Sequence, residues 1–106
     1  MDIKFHEKLY SDGISEGKLK RICKRVKKGH AKLNLYLVTL PLGEGGLLEI
    51  YWYPELLQKA YKELDKTLTV VGVSKSREDA LSIIEEIISD VGWQTGDIPI
   101  VHFFKE

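Results

Sequence analysis

Eight Lys and Arg residues stand between Gly17 and Gly43, with no Asp or Glu among them. Seven of them, Lys18, Lys20, Arg21, Lys24, Arg25, Lys27 and Lys28, surround a stripe of Leu19, Ile22, Cys23 and Val26. That stripe recurs at i, i+3, i+4 and i+7, so it forms one face of a helix and the cations take the remaining sides. His30 and Lys32 follow just beyond. Clustered cations bind phosphates by releasing condensed counterions, which makes 18–32 a candidate nucleic-acid face. Lys20, Arg21, Lys24, Lys27 and Lys28 are the residues named for a polyanion or a protein partner. The plain alternative is a solvated helix surface, the usual fate of a charge run. The sequence favours that alternative, because no aromatic residue interleaves the cluster to stack bases.

The remainder of the chain is acidic by the same margin. Residues 1–16 hold two basic and four acidic groups, and residues 44–106 hold six and twelve, so the formal net charge is zero. Segregation of this kind bears on partners and solubility rather than on fold. Much of the acid lies in a second stripe, Glu78, Asp79, Glu85, Glu86 and Asp90, opposite the apolar Ala80, Leu81, Ile83, Ile84, Ile87, Ile88 and Val91. It reads as a solvated face too, since hard cations need oxygens that converge from a loop or several elements.

Ser74, Lys75, Ser76 and Arg77 are the candidate small-anion site. They lie where a buried strand passes into a helix, whose free N–H groups and dipole attract phosphate or carboxylate. Ser76 is equally explained as a helix cap with Asp79 three residues on. The stretch lacks the glycine spacing of a phosphate loop. Tyr51 and Tyr53 are candidates for a pocket or an interface, as aromatic residues with a polar tip; Trp52, on the other side of the strand, is expected in the core.

No catalytic residue, metal ligand or cofactor-binding residue is nominated. His6, His30 and His102 show no ligand spacing, and Cys23 sits on the apolar stripe, where a thiol is usually inert. No nucleophile elbow, HExxH or CxxC occurs.

The elements that must hold these residues follow from periodicity. Ile3–Tyr10 reads as a strand, Ser15–Lys28 as a helix capped by Ser15 and stopped at Gly29, and Leu33–Leu40 and Leu47–Tyr53 as an antiparallel hairpin. A helix from Pro54 to Leu64 is expected next, then a buried central strand Leu68–Val73. A helix over Arg77–Val91 broken by Gly92 follows, and an edge strand Ile98–Phe104 carrying Pro99. The order βαββαβαβ implies an α+β domain, 1–106, with helices packed on a mixed sheet. A ferredoxin-like core with an appended αβ unit is the expected arrangement. The paired strands look apolar on both faces and need cover from helices or a second subunit, so a homodimer is expected.

Lys8-Leu9-Tyr10, Leu35–Leu40, Leu48-Glu49-Ile50-Tyr51, Pro54–Gln58, Val71-Gly72-Val73 and Glu78-Asp79-Ala80-Leu81 together resemble segments of a group of small bacterial proteins of about this length. No activity is assigned to that group, so the resemblance carries no site residue and implies only a bacterial, cytoplasmic origin. The lone Cys23 excludes an intrachain disulfide and suits a reducing compartment. Met1–His6 shows no basic region followed by an apolar run, so no secretory signal is expected, and neither a bilayer-spanning run nor a membrane partner is expected. The leading functional reading is a non-enzymatic binding or interaction protein. A nucleic-acid-binding module ranks second, and a small enzyme or anion binder at 74–77 third.

Overall fold

The structure, a computed structural model, describes residues 1–30, 32–42, 48–95 and 104. Its elements run β1 (Asp2–Ser11), α1 (Glu16–Lys27), β2 (Tyr36–Thr39), β3 (Glu49–Trp52), α2 (Tyr53–Leu56), α3 (Lys59–Lys62), β4 (Thr67–Ser74) and α4 (Arg77–Thr95). The fold is α+β. One mixed sheet has the strand order β1-β4-β2-β3, with β1 and β4 parallel and the other pairs antiparallel.

Alternation along the central strands makes two cores. Leu35, Leu37, Leu68, Val70 and Val73 face Ile22 and Val26 of α1 together with Tyr53 and Leu56 of α2. On the opposite face Val38 and Val71 meet Ala80, Ile83, Ile87 and Val91 of α4, with Phe104. Val71 is an extra residue in β4, because Val38 pairs with Gly72 while Thr39 pairs with Val70. Such a bulge lets one strand change which residues it presents to each side.

The ferredoxin-like order is not what the strands adopt. β4, the most apolar strand, takes the interior position with Leu68, Val70, Val71 and Val73 fully shielded. β1 exposes Asp2, Lys4, Glu7 and Lys8 and pairs only with β4 among the described residues, which suits an edge. The expected helix 54–64 is two single turns separated at Leu57–Gln58. Leu56 and Tyr61 are five residues apart, about 140° around a straight helix at roughly 100° per residue, so one rod could not point both at the sheet. The break does: Leu56 is buried, and Tyr61 sets its ring edge-on to Tyr51. Gly92 does not end α4, which continues to Thr95; a mid-helix Gly costs only about 1 kcal/mol and keeps its N–H donor. The strand expected at 98–104 and the loop 43–47 lie outside the described residues, apart from Phe104.

Candidate functional site

β1 and β4 end side by side, with Ser11 opposite Val73 in parallel register. After Ser11 the chain turns through Gly13, whose φ of 71° favours glycine, and enters α1 on one face of the sheet. After Ser74 it enters α4 on the other face. Where neighbouring parallel strands send their helices to opposite faces, a crevice opens at the carboxyl edge, the usual ligand position in open sheets. Two helix N-termini border it. Ser15 Oγ accepts from Lys18 N–H at 3.4 Å, and Ser76 Oγ accepts from Asp79 N–H at 3.1 Å.

Lys18, in the first turn of α1, and Lys75, in the β4–α4 turn, are both exposed and lie near enough at this edge for the Lys75 charge to act on Lys18. The nearness of Lys75 lowers the Lys18 pKa below the ordinary lysine value, with smaller pushes from desolvation and then Arg21. The sequence treats the basic helix and the 74–77 stretch as two separate candidates. The fold joins them. No local signal announces this, because the nearness depends on which strands are neighbours.

The other members of 74–77 have different duties. Ser74 is fully buried and its hydroxyl donates to Ser76 O at 2.8 Å. Ser76, an acceptor from Asp79, keeps its own hydroxyl proton free to donate. Arg77 is exposed at the first position of α4. Glu16, Glu78 and Asp79 already occupy the first turns of the two helices. These carboxylates offset the helix dipoles, so any attraction for an anion comes from the lysines rather than from the helix ends.

Helical spacing of about 100° per residue divides the remaining cations of α1 between two flanks. Lys18, Arg21, Arg25 and Lys28 share one, and Lys20, Lys24 and Lys27 the other. On the latter, Lys20 and Lys24 line a groove of about 640 Å³ against β1, together with Glu7, Glu16, Leu9 and Ile14. Its rim carries both signs of charge. Cys23 lines the same groove, and burial pushes its thiol pKa up, partly offset by Lys27.

Tyr51 is half-buried; its hydroxyl donates to Glu49 Oε1 at 3.1 Å, and burial followed by that carboxylate pushes its pKa up to about 12. Tyr53 opens α2 rather than ending the strand. It is fully shielded and forms part of the wall of a cavity of about 380 Å³ with Met1, Ile3, Val26 and Leu56. Trp52, expected in the core, is 44% exposed, and its Nε1–H donates to Asn34 Oδ1 at 2.9 Å. His6 Nδ1 accepts from Lys8 N–H at 2.9 Å, which assigns the ring proton to Nε2 and its donation to Phe104 O at 2.5 Å. His30 is exposed beside Arg25, and His102 lies outside the described residues.

Among the described residues no group of three or more His, Cys, Asp or Glu side chains converges as a metal site, and no helix is long and apolar enough to cross a membrane. No protein-family model, curated protein or solved structure matches the chain.

Proposed function

We propose that this chain is a non-enzymatic binding protein that takes a small phosphate- or carboxylate-bearing ligand in the crevice between α1 and the β4–α4 turn. The observation that supports this reading is the nearness of Lys18 and Lys75 at the carboxyl edge of two parallel strands whose helices diverge. Two neighbouring ammonium groups repel each other, and an anion between them turns that repulsion into attraction. Ser76 Oγ–H supplies a neutral donor beside them. Inorganic phosphate and pyrophosphate are suitable probes, with chloride at equal ionic strength as the control. The expected result is saturable amide shifts, in heteronuclear NMR, confined to residues 14–18 and 74–77. A Lys18→Ala/Lys75→Ala variant should abolish them. Shifts that do not saturate, or that survive in that variant, would overturn the reading.

A second reading extends the same flank. Lys18, Arg21, Arg25 and Lys28 continue from Lys75 along α1 as a row of exposed cations, a length that can follow a nucleic-acid backbone. Fluorescence anisotropy with a labelled single-stranded oligonucleotide separates the two. A steep fall of affinity with salt, reduced by Arg21→Glu/Arg25→Glu and unaffected by Lys20→Glu/Lys24→Glu/Lys27→Glu, favours this second reading.

A further inference from the structure

Among the described residues, one face of the sheet is covered by α4 and Phe104 away from β3. α4 lies across β4 and β2, while on the same face Tyr36 pairs with Trp52 and Val38 with Ile50 across β2 and β3. Val38 is shielded, Tyr36 and Ile50 are half-buried, and Trp52 stands out. α4 extends this surface from its side. Asp90, on one flank of the helix, accepts from Tyr10 Oη–H of β1 at 2.6 Å. The opposite flank therefore looks toward β3, and it carries Leu81, Ile84 and Ile88. Leu81 is 46% exposed and Ile88 52% exposed, and Ile84, like Tyr36 and Ile50, packs against the core beneath α4. Single exposed apolar residues are ordinary, but a strip drawn from helix and sheet together marks an interaction surface. Asn34 pins the Trp52 indole, so the ring gives up little freedom on contact.

We propose that a second copy of this chain covers the strip, with the two α4 helices antiparallel about a two-fold axis at Leu81. The charge pattern selects this occupant. Arg77, Leu81 and Glu85 recur every four residues along one exposed ridge. Arg77 and Glu85 thus flank Leu81 at equal distances, about 6 Å along the axis on either side by the rise per residue. A two-fold axis at Leu81 sets each Arg77 against Glu85 of the partner subunit, which is the self-complementarity an isologous interface requires. Neither residue is in an ion pair among the described residues. A partner of single charge sign would be attracted at one end of the ridge and repelled at the other.

Sedimentation velocity from 1 to 500 µM in 0.1 M salt tests the assignment, with circular dichroism to verify folding. The wild-type chain should sediment as twice its 12.1 kDa mass in the upper range. Leu81→Lys, an exposed substitution, should leave a folded monomer. Arg77→Glu and Glu85→Arg should each weaken association at least tenfold, and the two together should restore it. A monomer at every concentration would overturn the proposal, as would a dimer indifferent to Leu81→Lys or a charge swap that fails to recover association.

Discussion

Gly72 of β4 lies so close to Ile83 of α4 that a methyl group on its Cα would stand 2.8 Å from Ile83 Cγ2 and 3.1 Å from Val38 Cβ. Both neighbours are shielded, at 1% and 0% exposure, so neither can swing aside. The missing side chain is what lets the helix settle onto the bulged strand.

Gly72→Ala should therefore destabilise the fold by about 1–3 kcal/mol, the usual cost of overpacking. Ile83→Leu moves the branch point away from the strand, so the double variant should lose less than the two single changes combined. Urea denaturation of all four proteins measures this, and strict additivity would contradict the contact.

Tyr53 Oη and Thr39 Oγ1 are buried without a hydrogen-bond partner among the described residues. A buried hydroxyl that has lost water and gained nothing is a net cost. Tyr53→Phe should raise stability by about 1 kcal/mol, read as a higher urea midpoint at unchanged slope. Thr39→Val should act in the same direction.

Ser76 holds the start of α4 through its bond to Asp79 N–H. Ser76→Ala should cost about 1 kcal/mol as a lost cap, and Ser76→Asp should restore most of it. Because the same hydroxyl borders the crevice, Ser76→Asp should also weaken phosphate binding while the fold stays intact. A variant that regains stability and binds phosphate normally would separate the cap from the site.

The Tyr51 hydroxyl predicts an alkaline loss of stability. Its folded pKa near 12 lies above the ordinary tyrosine value of 10.0, so the native state holds the proton more tightly than the unfolded chain. That contribution is complete below about pH 10 and is lost as pH rises through 12. Wild-type stability should fall more steeply than that of Tyr51→Phe across this window. Parallel slopes in the denaturation midpoints would exclude the effect.

Elements whose signals are local were legible in the sequence. Ser15, the Leu19–Ile22–Val26 stripe and Gly29 define α1 to within a residue, and Ser76 with Asp79 defines the start of α4. What depends on neighbours was not. Trp52 stays out of its expected place in the core because the chain leaves the strand at Tyr53, whose N–H still donates to Leu35 O while its ring enters the core. The period-2 pattern cannot register that departure. The helix pattern over 54–64 likewise fits one rod, yet contacts of Leu56 and Tyr61 divide it. Strand order is a long-range property, and the nearness of Lys18 to Lys75 follows from it.

The basic α1 and the acidic α4 lie on opposite faces of the sheet, which therefore separates charge as the dielectric of a parallel-plate capacitor does. A protein of zero formal net charge built this way should be retained at neutral pH and low salt by both cation- and anion-exchange resins. It would present α1 to the first and α4 to the second. The two elution positions then become independent reporters of the two faces, and Lys-to-Glu changes in α1 should move the first far more than they move the second.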